Sequence, residues 1–110
     1  MNVERFNEIV EEVLGHCKET LVKKADDYAR DYDRLNNFKA VSQQTGVMPE
    51  HVLLVWQSKH ANAVKDFIED IKSKEKKRTR EEWKEKIGDI INYNILLLAL
   101  LEDEKNIEGE

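Results

Sequence analysis

Apolar residues recur along this chain at helical spacing in three long stretches and one short one. In the first, Val3, Phe6, Ile9/Val10, Val13/Leu14, Cys17, Leu21, Ala25 and Tyr28 fall three or four apart. That spacing gives one apolar face to a helix over residues 3–29. Asn2 precedes it as an N-cap, and Gly15 inside it weakens it by about 1 kcal/mol relative to Ala. Polar residues 30–36 read as a connection. A short helix over 37–44 follows, stopped by Gly46 as a left-handed cap. The next stripe, Val52/Leu53, Trp56, His60, Ala63/Val64, Phe67 and Ile71, predicts a helix over 49–71. Pro49 suits its first turn, whereas Met48 offers no capping oxygen in its side chain. Basic residues 72–78 form a second connection. Thr79 and Glu82 then have the spacing of a capping box and open a helix over 80–104. From Ile90 to Leu101 this helix carries no charge, and Ile95-Leu96-Leu97-Leu98-Ala99-Leu100-Leu101 is apolar on every side. Such a segment needs cover from a core, a subunit interface or both.

The pattern predicts an all-α protein, an antiparallel bundle of three long helices and one short helix. It forms a single helical domain over 1–105 with a frayed tail over 106–110. Composition agrees, with 37% charged residues, 40% hydrophobic residues, four glycines and one proline in 110 residues. A chain of that length holds one modest core. Three neighbouring helices hardly cover the run over 95–101, so a homodimer or higher homo-oligomer is expected. A net charge of −5 argues against general nucleic-acid binding. The lone Cys17 makes no internal disulfide, and residues 1–5 lack the apolar core of a secretory signal. The uncharged window is shorter than the ~20 apolar residues of a membrane span. A cytoplasmic location without membrane contact is the expectation.

Candidate chemistry gathers where polar residues interrupt apolar stripes. Glu85 and Asp89 stand one turn apart at the entrance to the apolar run, followed by Asn92 and Tyr93. Burying carboxylates there costs free energy unless something pairs with them. A shared Mg²⁺ would turn their mutual repulsion into ligation, with Asp27 as a further ligand if it lies near. Asn92 would contact the same ligand, whereas Asn94 suits fixing helix register. The bland alternative has Lys84, Lys86 and water neutralising the carboxylates. His60 lies on the apolar stripe of the third helix, either as a hydrogen-bonded core histidine or as a donor to a phosphate or base. Lys59 beside it suits an anion. On the first helix Lys24, Asp27 and Tyr28 fall within one turn. Arg34, Asn37 and Phe38 flank the short helix, whose free N–H groups can receive a phosphate. Cys17 on the core stripe reads as inert.

Four motifs in order, Lys24-x-x-Asp27-Tyr28, Asp33-Arg34-Leu35-x-Asn37-Phe38, Lys59-His60 and Glu85-Lys86-Ile87-x-Asp89-x-x-Asn92-Tyr93, resemble a family of small phage and prophage proteins. This is the phage nucleotide-modification-associated domain family, and the likeness runs from about Phe6 to Leu101. More loosely, the chain is similar to all-α nucleotide pyrophosphohydrolases of the MazG type. That pattern wants E-x-x-E on one helix and E-x-x-D on the next. Here the spacing is Glu85-x-x-x-Asp89, and Lys59-His60 stands where acids belong. The resemblance implies a protein in the cytoplasm of an infected or lysogenic bacterial host, recognising a nucleotide or a related small molecule. Two forms of that function follow. In a pyrophosphohydrolase, Asp27, Glu85 and Asp89 would hold Mg²⁺, Lys24, Arg34 or Lys59 would steady phosphates, and His60 with Lys59 would serve catalysis. In a non-catalytic protein, Lys24, Tyr28, Arg34, Asn37, Lys59, His60, Asn92 and Tyr93 would sequester a nucleotide, such as a cyclic signal of host defence.

Overall fold

The end signals in the sequence work as local chemistry. Asn2 Oδ1 accepts the Arg5 N–H at 2.8 Å and opens α1 (Val3–Tyr28). Asp33 takes the Leu35 N–H at 2.9 Å just ahead of α2 (Asn36–Thr45). That helix ends at Gly46, whose φ of 76° lets its N–H turn back to Ser42 O at 2.9 Å. Few side chains tolerate this conformation, which is why glycine stands there. Pro49 begins α3 (Pro49–Ser73). Thr79 and Glu82 complete their reciprocal capping box at the head of α4 (Arg80–Asp103). The computed structural model describes residues 1–28, 33–73 and 77–109, with the backbone alone for 25–28. Residues 30–32 of the first connection and 74–76 of the basic one lie outside the described residues. In the expected frayed tail, Asn106 is tied down: its N–H donates to Leu101 O at 2.8 Å, and its side-chain amide donates to Glu50.

α3 and α4 run antiparallel, as expected. Along their seam Gln57 meets Asn94 at 3.2 Å, His60 meets Asp89 at 3.3 Å, and Phe67 stands edge-on to Trp83 with ring centroids 5.2 Å apart. Arg78 closes that end, bonded to Asp70 at 2.7 Å and lying over the Phe67 ring. The main core is at the other end, where Leu35, Phe38, Val52, Leu53 and Leu100 are buried together. Each such leucine contributes about 1.5–3 kcal/mol by leaving water. Lys39 bridges Asp103 and Asp33 over this core, and those two carboxylates hold its ammonium well above the ordinary lysine range.

α1 packs alongside α4. Glu12 receives Arg80 Nε at 2.9 Å, and further along both helices the Cys17 thiol donates to Gly88 O at 3.7 Å. The pairings advance together in sequence, so the two helices run parallel. Alternating long helices α1, α3 and α4 leave the first and third pointing the same way. Gly88 permits the approach, since a Cβ there would lie 3.0 Å from His16 Cδ2 and 3.6 Å from Cys17 Sγ. The Arg80 hydrogen bond, helped by Lys84, draws the Glu12 carboxyl down to about 2. Among the described residues α1 leans mainly on α4. Its first turns reach past the start of α4, leaving Val3 and Phe6 exposed.

The apolar run of α4 is only partly covered within one chain. Leu100 is fully buried, but Ile95 is 46% and Leu98 62% exposed.

Two glycines of helical interiors are expected to respond in opposite directions. A Cβ at Gly15 meets no atom within 4 Å, so Gly15→Ala should raise unfolding stability by about 0.5–1 kcal/mol. Gly88→Leu should lower it by about 1–3 kcal/mol through overpacking against α1. Urea unfolding of the two variants checks this; a Gly88→Leu protein as stable as the parent would disprove the close seating.

Candidate functional site

Because α1 meets α4 but stands away from α2 and α3, a cavity of about 340 Å³ opens between them. On α4 its wall is Asp89, Asn92, Tyr93 and Leu96, whose spacing places them on one helical face. α1 contributes Thr20, Leu21 and Lys24. Arg34, Asn37 and Phe38 come from the start of α2, and Trp56 from α3.

Aromatic rings line this space in series. Trp56 and Phe38 have centroids 5.1 Å apart at a tilt of 44°, and Phe38 meets Tyr93 edge-on at 6.5 Å. Tyr93 in turn lies against the His60 ring at 5.2 Å. His60 is not itself a wall residue. It braces the wall from behind, with Nδ1 3.3 Å from Asp89 Oδ2 and its ring on Tyr93. Asn92 is 6% exposed, and its buried Oδ1 accepts no hydrogen bond among the described residues. A second depression of about 450 Å³ adjoins the first, sharing Thr20, Lys24 and Asp89, and adds His16, Glu19, Lys23, Glu81 and Glu85.

The fold therefore brings Lys24, Arg34, Asn37, Asp89, Asn92 and Tyr93 to one cavity, with His60 directly behind it. Glu85 faces the neighbouring depression. Lys59 is exposed and lines neither space, because one residue along a helix turns a side chain by about 100°. The side chains of Asp27 and Tyr28 lie outside the described residues. Among the described residues no three His, Cys, Asp or Glu side chains are grouped to hold a metal ion. The carboxylate pair is also differently neutralised from the sequence expectation. His60 pairs with Asp89, while Lys84 lies 3.2 Å from Glu81 and 3.4 Å from Glu12.

Trp56 was a core residue on its spacing alone and turns out to line the cavity. The one signal for it in the sequence is its place a turn before His60 on the same stripe. Cys17 is buried as expected; burial first, and the Asp89 charge second, push its thiol above the ordinary range. That favours the unreactive thiol over the thiolate. Asn94 accepts from Gln57 and so ties α4 to α3, the register role its position suggested.

Neighbouring substitutions on α3 should separate the bracing residue from the surface one. His60→Ala removes the ring packed on Tyr93 and the partner of Asp89, and is expected to cost about 1–2 kcal/mol. Lys59→Ala should stay within about 0.5 kcal/mol of the parent. Equal effects of the two in thermal or urea unfolding would remove the bracing role.

No protein-family model, curated protein or solved structure matches this chain, so neither resemblance drawn from its motifs gains support from such comparisons.

Proposed function

We propose that this protein binds a nucleotide or a closely related small molecule in the cavity between α1, α2, α3 and α4. The observation that carries the reading is the combination of surfaces in one space. Phe38, Trp56 and Tyr93 offer aromatic surface for a base, while Lys24 and Arg34 bring two cations to the same cavity. The first turn of α2, carrying Asn37, adds the positive end of a helix dipole. A volume of about 340 Å³ falls within the range of small-molecule pockets, roughly 300–1,000 Å³. Bases stack on aromatic rings whatever their identity, and phosphates answer to Lys and Arg.

Binding is the part of this function that the cavity carries, with or without turnover. One Asp89 oxygen faces His60, and Asp89 and Glu85 both line the neighbouring depression. In the hydrolytic form those two carboxylates, with Asp27, would hold Mg²⁺, and the ion would supply an activated water.

A second copy of the chain is the natural cover for the apolar surface left open. Val3 and Phe6 on the overhang of α1, and Ile95 and Leu98 on α4, are all more than two-fifths exposed. The α4 segment carries no charge, so a like segment of another copy meets no repulsion there. The overhang of α1 and the apolar run of α4 are two separate patches, and exposed apolar patches mark contact sites between molecules.

Two experiments test these readings. A thermal-shift and calorimetric panel of nucleoside mono- and triphosphates and cyclic nucleotides, run with chelator, should show at least one ligand that stabilises the protein. Trp56→Ala and Lys24→Gln should each weaken that ligand about tenfold or more. No shift with any nucleotide, with or without Mg²⁺, would refute the binding function. Pyrophosphate release with Mg²⁺, abolished in Glu85→Gln, would establish the hydrolytic form instead. Separately, light scattering at micromolar concentration should give a dimer or larger species, which Phe6→Asp or Leu98→Lys shifts toward the monomer. A monomeric parent protein at that concentration rules out self-association.

A further inference from the structure

We infer that a second copy of this chain packs on the face of α1, α4 and α3 opposite the cavity, with the twofold axis of the pair passing at Gln57 and Asn94; this deepens the self-association reading and rests on it. On α4, Asp89 and Asn92 line the cavity to one side of Gly88, where α1 is seated. Ile87, Ile91, Asn94 and Leu98, spaced four, three and four, turn to the other side. On α3, Leu54, Gln57, Ala61 and Ile68 share one flank in the same way. The bond from Gln57 to Asn94 at 3.2 Å sets the two stripes side by side. Leu14 of α1 continues the face, since His16 lines the second depression and Leu14 falls on the opposite side of Cys17. Leu14, Leu54, Ile68, Ile87 and Leu98 are each between 39% and 62% exposed.

Two properties of this face suit it to a like copy. The first is its extent. Helices pack about 8–10 Å apart and rise about 1.5 Å per residue, so three helices over the span from Leu54 to Ile68 present a face on the order of 600 Å². Accessible area exceeds that flat measure and approaches the roughly 800 Å² that each partner gives to a specific interface. The stripes on α3 and α4 hold no charged residue, so two copies meet there without repulsion. The second property is self-complementarity. The bond within the chain uses one Gln57 hydrogen and the Asn94 oxygen. That leaves the Asn94 amide hydrogens as donors and the Gln57 oxygen as an acceptor. Twofold symmetry sets an identical pair opposite, so each Asn94 donates to the partner's Gln57 and the four amides close on one another. An isologous contact requires a patch that matches itself in this manner. A polar residue in an otherwise apolar helix seam also fixes register and the number of copies. The cavity lies on the other side of these helices and stays open to its ligand.

Sedimentation equilibrium on the intact chain, which returns a dimer dissociation constant, carries the test. Asn94→Asp keeps the oxygen that Gln57 bonds but sets two carboxylates at the axis, and should weaken the dimer about tenfold or more. Asn62→Asp makes the same change at an exposed position of α3 turned off this face, and should stay within about threefold of the parent. Asn94→Cys, treated with a mild oxidant, should give a disulfide-linked dimer on a denaturing gel, whereas Asn62→Cys should not. That second measurement decides the matter if the charged variant does not fold. A parent dimer that Phe6→Asp dissociates and Asn94→Asp leaves unchanged places the contact on the overhang of α1; it overturns the inference while self-association stands. Equal cross-linking at positions 62 and 94 overturns it as well. A parent protein that is monomeric at micromolar concentration defeats the inference together with its basis.

Discussion

The seating of α1 on α4 at Gly88 is the contact on which the arrangement depends. Missing a side chain there, α4 accepts α1 closely enough for the Cys17 thiol to reach the Gly88 carbonyl. Glu12 with Arg80 and Lys84 secures the same seam nearer the helix starts. Nothing comparable binds α1 to α2 or α3 among the described residues. The cavity is the consequence: a space between one helix held on α4 and a pair packed on its other side. A bulkier residue at position 88 would change that space as well as the stability of the fold.

α4 consequently performs two tasks with alternate faces. Leu100 and the partly buried Tyr93, Leu96 and Leu97 join the core formed with α2 and α3. Asp89, Asn92, Tyr93 and Leu96 line the cavity. Tyr93 and Leu96 belong to both sets, so the wall of the cavity is also an edge of the core. A wall built this way is stiff, because displacing a cavity residue disturbs close packing. His60 adds to the stiffness from α3 by meeting both Asp89 and Tyr93. The same economy leaves Ile95 and Leu98 on a third face without cover.

Most element boundaries were legible in the chain, because they rest on contacts within a few residues. Asn2, Gly46 and the Thr79/Glu82 box act on backbone groups at most four positions away. Periodicity likewise identified most of the core face of α3, though Ile71 stays exposed, whereas on α4, apolar on every side, it singled out no face. It also placed Cys17 correctly on a buried stripe. The candidate site was legible in part. Polar residues on apolar stripes, His60, Asp89 and Asn92, do stand together, since burying them is costly unless the fold has a use for them. Lys59 was attached to the same idea by adjacency in sequence, which a helix converts into a turn away from its neighbour. Trp56 went unread as a site residue because an aromatic on a core stripe and one on a cavity wall have the same spacing.

What the sequence by itself determined is the helical class, the helix ends and part of the set of residues that leave water, since Val3, Phe6, Ile95 and Leu98 stay exposed. These follow from backbone geometry, capping and hydrophobic period, all of them local. The tertiary structure alone decided that α1 seats on α4 at Gly88, that Asp89 pairs with His60 instead of a lysine, and that a cavity opens beside Asn92. Those outcomes depend on which helix faces meet and how closely, and residues distant in sequence such as Cys17 and Gly88 reveal that only once they touch.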